Sequence, residues 1–569
     1  MILLLAQLVA PPVQLGPVRL PGPGAGEQRS APPSAPTGRP PALEAEPAPP
    51  GETPAPAPAP APGGPAAAPA ASAPLPRIEG RVPLGRAEVI RLLGPCLAIS
   101  DPVQRLNACA ASLTASLVSL GYVNTRVYAN PSPAPGSLQV VEGRIVEVRV
   151  TGGDEALNRR VRRLLRPLPG EVLHLPRLER QLQLLRVQPG VASVRGNLSR
   201  LGSDASQAVL VVTLSPGSQP WQGDLSVRND GSSGSGQFRA VTALAKSSLA
   251  RRGDNLLLYT ELNASSAPEF GALISSLSYT LPLSEQLSFT TALGYSRRNL
   301  IDLPAPANGF STSQYQALGQ LEWVFQESLT QRWSLSLAYS ANRSNTYLAD
   351  QPLPATTPQL ISQPSSGFLR LGLSGSGISP RLAWSGNAYL LQGISASIPV
   401  LQRQELAQAG INPGQARAVG GLISTAWSLA PGWQLNLRAA GQWAFQPLLS
   451  SMQFSLGSDV GLRGLPGQLI SGNSGLLGTA ETVWTFWQTP NQALQLVPFL
   501  GAGRVSSTIQ GVRSSDSLGS GGLLLRWLGG SNWLVELGWV KQFFTANNPG
   551  PWNNSWLGNG LYAKMAYRF

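Results

Sequence analysis

Residues 287–296 have the sequence LSFTTALGYS, in which large apolar side chains alternate with small or polar ones. A period of two places one set on each face of a β-strand. The same alternation recurs in WSLSLAYS, which begins at Trp333, and in WQLNLRAA, which begins at Trp433. The polar face is mostly Ser, Gly, Asn and Gln rather than charged residues. This pattern favours membrane-spanning strands with an apolar face toward lipid and a polar face toward a watery lumen.

The composition also indicates a membrane barrel. Charged residues make up 12% of the chain, about half the usual fraction. Uninterrupted apolar stretches reach only about ten residues, whereas a spanning helix needs about 20, so strands in a closed barrel are the remaining way to cross a bilayer. All 14 tryptophans lie between Trp221 and Trp556, as expected of aromatic girdles. An ordinary β-sandwich core is the alternative.

We therefore predict an antiparallel transmembrane β-barrel in residues 218–569. At about ten residues per strand plus connections, this length accommodates about 16 strands. The chain ends in LYAKMAYRF, which places Tyr567 and the terminal Phe569 on one face. This ending is typical of the assembly signal of outer-membrane barrels, and it predicts the outer membrane of a Gram-negative-type bacterium.

The N-terminal residues lack the barrel pattern. Residues 1–10, MILLLAQLVA, resemble the apolar core of a secretory signal without its basic leader. Residues 11–76 hold 22 of the 52 prolines and predict a semi-extended linker with no plug-forming helix. Residues 77–151 and 152–217 predict two copies of a small α+β domain. The predicted helices are Ala87–Leu93, one capped by Asp101, Glu155–Arg166 and Pro176–Leu185. The predicted strands include Tyr122–Tyr128, one run at Leu138–Val150, Val148–Gly152, Val191–Asn197 and Ala208–Leu214.

The potentially reactive residues do not form a recognisable site. Cys96, Cys109 and the single His174 are too few for a four-ligand zinc site, so the cysteines form either a disulfide or two buried thiols. His174 has no companion base for a catalytic triad, and a structural role is favoured. The net charge of +13 comes from scattered arginines, apart from a helical run at 159–166. That run suggests a solvated face, and the alternative is attraction of acidic lipid headgroups or substrate. We predict no catalytic residue, no cofactor, no metal and no nucleic-acid partner.

Two stretches carry a family resemblance. GYVNTRVYANP from Gly121, followed by GSLQVVEGRI ending at Ile145, resembles the polypeptide-transport-associated (POTRA) domain of the two-partner secretion, or type V secretion, TpsB transporters of the haemolysin-activator (ShlB/FhaC) family. The second domain matches more loosely through Leu173–Val194. The barrel opening, with Asn229 and Gly231, and the hairpin at Asp254 are also similar. The resemblance implies substrate docking by a set of POTRA residues: Gly121, Tyr122, Thr125, Arg126, Gly143 and Ile145.

The barrel carries the second matching stretch, FSLGSDVGLRGLPGQ from Phe454. Arg463, Gly464 and Leu465 stand where the family has its Arg-Gly-Tyr loop tip, and the resemblance implies that this sixth extracellular loop folds into the lumen. Leu465 replaces the aromatic residue, and Gly501 stands at the usual acidic position. Glu481 is the remaining candidate partner for Arg463, and the alternative is that Arg463 faces water.

The resemblance implies an outer-membrane protein without enzymatic activity. It implies that periplasmic POTRA domains bind an unfolded, β-helical TpsA-like exoprotein, which then passes through the barrel lumen. Outer-membrane lipids and, during biogenesis, the barrel assembly machinery are the other expected partners. A barrel assembly or insertion factor of the same superfamily is the alternative.

Overall fold

The computed structural model describes residues 75–133, 136–166, 168–186, 191–201, 204–216, 221–232, 234–251, 253–265, 269–302, 309–467, 469–530, 532–544 and 555–569. The predicted signal segment and linker, and the expectation that 11–76 holds no plug helix, lie outside these ranges except for Leu75 and Pro76. The chain divides into two compact units between residues 218 and 219. We call the described parts the N-terminal unit (75–216) and the barrel unit (221–569).

The first half of the N-terminal unit is a three-stranded sheet packed against two helices. Its elements are β1 (Arg77–Glu79), α1 (Arg86–Leu97), α2 (Pro102–Ser119), β2 (Arg126–Asn130) and β3 (Ser137–Val141). The strand order is β1–β3–β2, with β1 parallel to β3. Asp101 begins α2, because its carboxylate accepts hydrogen bonds from the N–H groups of Val103 and Gln104 at 2.8 and 2.9 Å. Leu113 and Leu117 of α2 are fully buried in the core of this half.

A disulfide joins the two helices of this half. Cys96 of α1 and Cys109 of α2 are bonded, with their Cα atoms 5.2 Å apart. Both side chains are buried among the leucines of the core. The structure therefore selects the disulfide over two free thiols.

The second half of the N-terminal unit repeats the arrangement of three strands and two helices. Its elements are β4 (Arg144–Thr151), α3 (Glu155–Leu164), α4 (Leu175–Arg186), β5 (Val191–Leu201) and β6 (Asp204–Pro216). The strand order is β4–β6–β5, with β4 parallel to β6.

One sequence prediction about this region is wrong. The predicted strand Leu138–Val150 is two strands, β3 and β4, and they belong to different sheets. The chain breaks at Gly143, whose N–H donates to Thr125 Oγ1 at 3.1 Å and whose position leaves no room for a Cβ beside Asn124. The boundary between the two halves thus lies near residue 143 rather than 151, since β4 pairs with β6.

The barrel unit is a closed antiparallel barrel of 16 long strands among the described residues, as predicted. The two-residue β14 (Gln351–Pro352) only extends the end of β13 (Gln331–Leu348). The last strand, β25 (Leu561–Arg568), pairs with the first barrel strand, β7 (Gln222–Arg228), and closes the barrel. The long strands are β7 (Gln222–Arg228), β8 (Phe238–Ser247), β9 (Asn255–Ala264), β10 (Phe270–Pro282), β11 (Leu287–Asn299), β12 (Phe310–Glu327), β13 (Gln331–Leu348), β15 (Ser365–Ile378), β16 (Leu382–Gly393), β17 (Arg417–Ala430), β18 (Trp433–Ala444), β21 (Ser474–Gln488), β22 (Gln492–Ile509), β23 (Val512–Gly529), β24 (Trp533–Phe544) and β25 (Leu561–Arg568).

The two faces of the strands follow the sequence alternation. In β11, Phe289 and Leu293 are 38% and 61% exposed on the outer face. Thr290 and Ser296 are buried on the opposite face, toward the lumen. The apolar face therefore points to lipid and the polar face inward, which confirms the predicted barrel.

The two rims of the barrel differ in the length of their connections. Five connections on one rim are short turns, at 283–286, 328–330, 379–381, 431–432 and 489–491. The opposite rim carries the longer connections, including 349–364 with α5 (Gln359–Ser362), 394–416 with α6 (Val400–Gln408), and 445–473. Because outer-membrane barrels have short periplasmic turns and longer extracellular loops, these rims are periplasmic and extracellular respectively.

Aromatic side chains cluster along the periplasmic rim, one of the two interfaces at which the tryptophan distribution predicts an aromatic girdle. The rings of Trp433 and Trp484 stack with centroids 5.3 Å apart, and those of Trp533 and Tyr567 lie 4.7 Å apart. The terminal Phe569 pairs its backbone with Gly223, and its ring occupies the space that a Cβ at Gly223 would need. The predicted assembly-signal residues Tyr567 and Phe569 thus lie where the barrel closes.

Among the described residues, no helix combines the length and apolarity needed to cross a bilayer.

Candidate functional site: a loop anchored in the barrel lumen

The connection 445–473 folds back into the lumen. It contains a short antiparallel hairpin, β19 (Phe454–Leu456) and β20 (Ile470–Gly472). Leu462 and Leu465, at its tip, are fully buried in a cluster with lumen-facing side chains of the wall. Leu465, which replaces the family's aromatic residue, therefore serves as an apolar contact of the tip.

Arg463 is held between two carboxylates of the lumen wall. Its Nε donates to Glu481 Oε1 of β21 at 2.9 Å, and its Nη1 donates to Glu536 Oε2 of β24 at 2.8 Å. The arginine side chain is 11% exposed, so the alternative that it faces water is wrong. Two charge-assisted bonds from one planar guanidinium fix both the position and the orientation of the loop tip.

Glu536 links the loop to a second arginine. Its side chain is fully buried, and its Oε1 accepts a 2.7 Å hydrogen bond from Nε of Arg526 on β23. A buried carboxylate is stable only when it is paired and hydrogen-bonded. The two arginines supply that pairing, so Glu536 ties the loop to two neighbouring wall strands.

The backbone of the tip is also bonded to the wall. Ser520 Oγ donates to the carbonyl of Arg463 at 2.6 Å, and Gln542 Nε2 donates to the carbonyl of Gly464 at 3.2 Å. Gly464 has a φ of +81° and lies against Val540, where no Cβ would fit. The glycine of the motif is therefore required by both its conformation and the close approach to the wall.

Gly501, at the position where the sequence resemblance implies an acidic residue, lies against the loop tip. A Cβ at Gly501 would lie 3.0 Å from Leu462 Cδ2 and 3.0 Å from Thr479 Cγ2. Leu462 and Thr479 therefore occupy the space that a side chain at position 501 would need. Glu536, on another strand, provides the second carboxylate, and the sequence interpretation missed it. Glu536 lies between Val535 and Leu537 on the polar face of an alternating strand, and this pattern could have predicted an inward-facing carboxylate.

The loop has a second anchor, which the sequence interpretation also missed. Arg239 of β8 donates from Nη1 to Asp459 of the loop and from Nη2 to Glu261 of β9, the latter at 2.7 Å. The side chains of Arg239 and Glu261 are 6% and 5% exposed. The Gly467 N–H also donates to the carbonyl of Gly231 at 3.1 Å. The second anchor therefore joins the loop to the first strands of the barrel.

The two anchors lie on opposite sides of the barrel closure. In the strand order, β24 precedes β25 and β8 follows β7, and β25 pairs with β7 over only Lys564–Arg568. Asn229 of the barrel opening extends this short ladder, because its Oδ1 accepts from the Ala563 N–H at 2.9 Å and its Nδ2 donates to the Leu561 carbonyl. The anchored loop thus spans the inner face of the closure.

The predicted docking residues lie mostly inside the N-terminal unit. Gly121, with a φ of +95°, faces Pro176, and its carbonyl accepts from the Leu175 N–H at 2.9 Å. The Tyr122 ring lies 4.7 Å from that of His174. This stretch therefore connects the two halves of the unit, and His174 belongs to that connection.

The remaining members of the predicted set are similarly placed, with one exception. Thr125 is fully buried beside Gly143, and Ile145 is 2% exposed in the second sheet. Arg126 alone is exposed, and its Nη1 donates to the carbonyls of Val123 and Thr125 at 2.9 and 3.0 Å. The motif shapes the unit rather than forming one continuous surface.

A closed barrel of 16 strands with a loop anchored in its lumen, preceded by two small α+β domains, is the architecture of an outer-membrane transporter. The comparisons with known proteins agree. The family model for the haemolysin secretion/activation protein ShlB/FhaC/HecB matches residues 206–523. The chain belongs to this family, the TpsB transporters of two-partner secretion, which act on secreted TpsA-like exoproteins.

Individual relatives cover most of the chain. The outer membrane transporter CdiB of Escherichia coli is 25% identical over 500 residues, 83% of this chain and 78% of its own length. The CdiB of Dickeya dadantii is 21% identical over 481 residues, 82% of this chain and 80% of its own. A solved structure of CdiB from Escherichia coli has the same fold, with a TM-score of 0.55 at 19% identity, over 87% of this chain and 89% of that one. The family match favours secretion over the barrel-assembly alternative.

Proposed function

We propose that the chain binds its unfolded exoprotein on the sheets of the N-terminal unit and secretes it through the barrel lumen. The observation that carries this proposal is the loop 445–473, which is held inside a polar lumen by ion pairs at two points. Ion pairs and hydrogen bonds are reversible, so the loop can leave the lumen while the wall strands keep their pairing. Folding of the exported chain outside then biases transport outward.

Two edge strands provide the docking template. β2 and β5 each lie at the edge of a sheet, and an edge strand presents backbone groups to which an extended chain can add. Part of the β2 edge is already used, because the Val127 N–H donates to Thr114 Oγ1 at 2.9 Å. The 11-residue β5 is the longer template. Tyr128, 55% exposed on β2, adds an aromatic contact.

Most of the predicted docking residues then support docking indirectly, from buried positions in the N-terminal unit. Gly121, Tyr122, Thr125, Gly143 and Ile145 support the two sheets and fix the connection between them. Arg126 is the member of the set that can contact an exoprotein directly. A substitution at Thr125 or Gly143 would therefore impair docking by deforming the unit.

The surface of the barrel suggests the remaining partners. The outward leucines and the aromatic rim fit the hydrocarbon core and the headgroup region of an outer membrane. We propose that the barrel assembly machinery recognises the last strand through Tyr567 and Phe569 during biogenesis.

Site-specific photo-crosslinking tests the route. A photoreactive residue replaces Tyr128, an exposed position along β5, Gln320 or Leu321 in the full chain, which is expressed with an exoprotein stalled by a folded C-terminal fusion. Gln320 is buried toward the lumen and the adjacent Leu321 is 42% exposed on the outer wall, so the last two positions form a matched pair. We expect crosslinks from Tyr128 and Gln320 and none from Leu321.

The outcomes separate docking from passage. Crosslinks at Leu321 equal to those at Gln320 would contradict passage through the lumen. Crosslinks at Gln320 without any at Tyr128 or at positions along β5 would contradict docking on the edge strands. Secretion of the unstalled exoprotein by each variant controls for misfolding.

A further inference from the structure

A hollow of about 690 Å³ opens on the outer wall of the barrel in its extracellular half. Two adjacent rows of outward-facing residues form it, and both cross β10 to β15. The upper row, nearer the extracellular rim, is Ser275, Tyr295, Tyr315, Arg343 and Ser365. The lower row is Leu277, Leu293, Ala317, Ala341 and Gly367. The hollow therefore lies on the surface that faces lipid.

The side-chain sizes explain the shape of the hollow. Along the lower row they fall from leucine to alanine to glycine, so the wall recedes beneath the larger side chains of the upper row. The rings of Tyr295 and Tyr315 lie 5.2 Å apart and form one upper border. The result is an apolar recess with aromatic and cationic groups at its extracellular border.

An extracellular loop covers one side of the recess. Ser397 lies against Gly367, and its Oγ shares a 2.6 Å hydrogen bond with Tyr339 Oη of the outer wall. The Ile394 N–H donates to the Gly367 carbonyl at 2.8 Å. Because a side chain at position 367 would displace Ser397, the glycine allows the loop to fold over the lipid-facing wall.

Arg343 supplies the charge. Its side chain is exposed at the border of the recess, and one of its five donors goes to Gln363 Oε1, at 3.3 Å. A planar guanidinium matches the oxygens of a phosphate. Apolar surface below and a cation above are complementary to a molecule with acyl chains and a phosphate, oriented with the phosphate outward.

We propose that this recess binds a phosphorylated, acylated glycolipid of the outer leaflet, of the lipid A type. The acyl chains lie over Ala317 and Ala341, and Arg343 bonds a glycolipid phosphate. The extracellular position of the recess places it in the outer leaflet, and the covering loop around Ser397 holds the lipid against the wall.

Native mass spectrometry of the full-length protein tests this assignment. Protein in a mild detergent is mixed with bisphosphorylated lipid A, with lipid A lacking both phosphates, or with phosphatidylglycerol. We expect the bisphosphorylated form to bind preferentially. Arg343→Gln should lower its bound fraction about tenfold, as expected for the loss of one charge-assisted hydrogen bond, and Ala341→Trp should lower it by filling the recess.

Arg417→Gln is the matched control. Arg417 is an exposed arginine at the extracellular end of β17, outside the recess, and its Nε also bonds a glutamine, Gln392, at 2.6 Å. The Arg417→Gln variant should bind lipid A as the unchanged protein does. Equal losses in Arg343→Gln and Arg417→Gln would overturn the site, and so would equal binding of phosphate-free lipid A or phosphatidylglycerol. Heat-modifiable gel mobility verifies that each variant forms a closed barrel.

Discussion

Arg463 Nη1 lies 2.8 Å from Glu536 Oε2, although the two residues are 73 positions apart in the chain. Glu536 is fully buried and also accepts from Arg526. Glu481, the other partner of Arg463, is 19% exposed. The two carboxylates therefore differ in what their removal leaves behind. Removal of the Glu536 carboxylate takes a partner from both Arg463 and Arg526. Removal of the Glu481 carboxylate affects only Arg463, which keeps its bond to Glu536.

We predict that Glu536→Gln destabilises the barrel more than Glu481→Gln. Removing one partner of a buried ion pair costs about 3–5 kcal/mol, and Glu481→Gln should cost less because Arg463 keeps its bond to Glu536. Urea unfolding followed by heat-modifiable electrophoresis measures the difference. Equal losses for the two variants would contradict the central role of Glu536.

Charge reversal at Glu481 should impair secretion, and partial rescue by exchanging its charge with Arg463 would support the pair.

Gly501 and Leu462 should be energetically coupled. Restoring an acidic side chain by Gly501→Asp places new atoms against Leu462 Cδ2, which lies 3.0 Å from a Cβ at this position. We expect a destabilisation of about 1–3 kcal/mol, and a smaller one when Leu462→Ala is already present. Gly478→Ala on the adjacent β21 is the control, because a Cβ there meets nothing within 4 Å. Additive effects in the double variant would refute the steric explanation.

Asp459 and Arg239 should limit the movement of the loop. Asp459→Asn weakens the anchor on β8, so we expect longer or more frequent open events in planar-bilayer recordings and a less stable barrel closure. Arg239→Gln should give the same change in open events and a larger loss of stability, because it also removes the arginine partner of the buried Glu261. Adding Asp459→Asn to Arg239→Gln should change the open events little further. Asp350→Asn is the control, because its pair with Arg297 is exposed, at 78% and 50%. Unchanged conductance in Asp459→Asn would show that the second anchor does not limit the movement of the loop.

Much of the fold could be predicted because its signals are local. The period of two in Leu287–Ser296 fixes which side chains face lipid, and Asp101 marks its own helix start. The error at Leu138–Val150 arose because both strands there are apolar and β-branched. Gly143 is the local sign of a break in that run, but the separation of β3 from β4 also depends on its contact with Thr125 across 18 positions.

The loop site was only partly predictable, because some of its paired residues are far apart in the sequence. Arg463 and Glu481 lie in one recognisable stretch, 18 positions apart. Asp459 and Arg239 are 220 positions apart, and their meeting depends on barrel closure. An inward charge on an alternating strand, such as Glu536, indicates that a partner must exist. It does not indicate which strand carries the partner.

The disulfide should stabilise the N-terminal unit. Cys96 and Cys109 close a loop of 13 positions, for which chain entropy alone suggests about 3 kcal/mol. Cys109→Ser in the full chain should therefore make residues 75–216 more sensitive to proteolysis and leave the closed barrel intact. Reductant should have the same effect on the unchanged protein and none on the variant. Equal protease resistance with and without reductant would show that the bond adds nothing.

Asp254 organises the periplasmic turn between β8 and β9. Burial opposes its ionisation, but donors outweigh that effect and hold its pKa below the usual value: the Tyr279 hydroxyl and the N–H groups of Arg251, Ala250 and Leu249. Because the folded pKa is depressed, the stabilisation is complete above the unfolded value of about 3.9. It is lost as the pH falls through the folded value.

We therefore expect hydrogen exchange to report on this turn. At neutral pH, Asp254→Asn should reduce the protection of the three turn amides, because a neutral amide oxygen accepts more weakly than a carboxylate. In the unchanged protein, the turn's contribution to stability should decline only below about pH 4, whereas in the variant that acid-dependent step should be absent. Asp350→Asn, in an exposed ion pair on the extracellular rim, should leave the turn unaffected. Equal amide protection in Asp254→Asn and the unchanged protein at neutral pH would show that the backbone alone, without the carboxylate, maintains the turn.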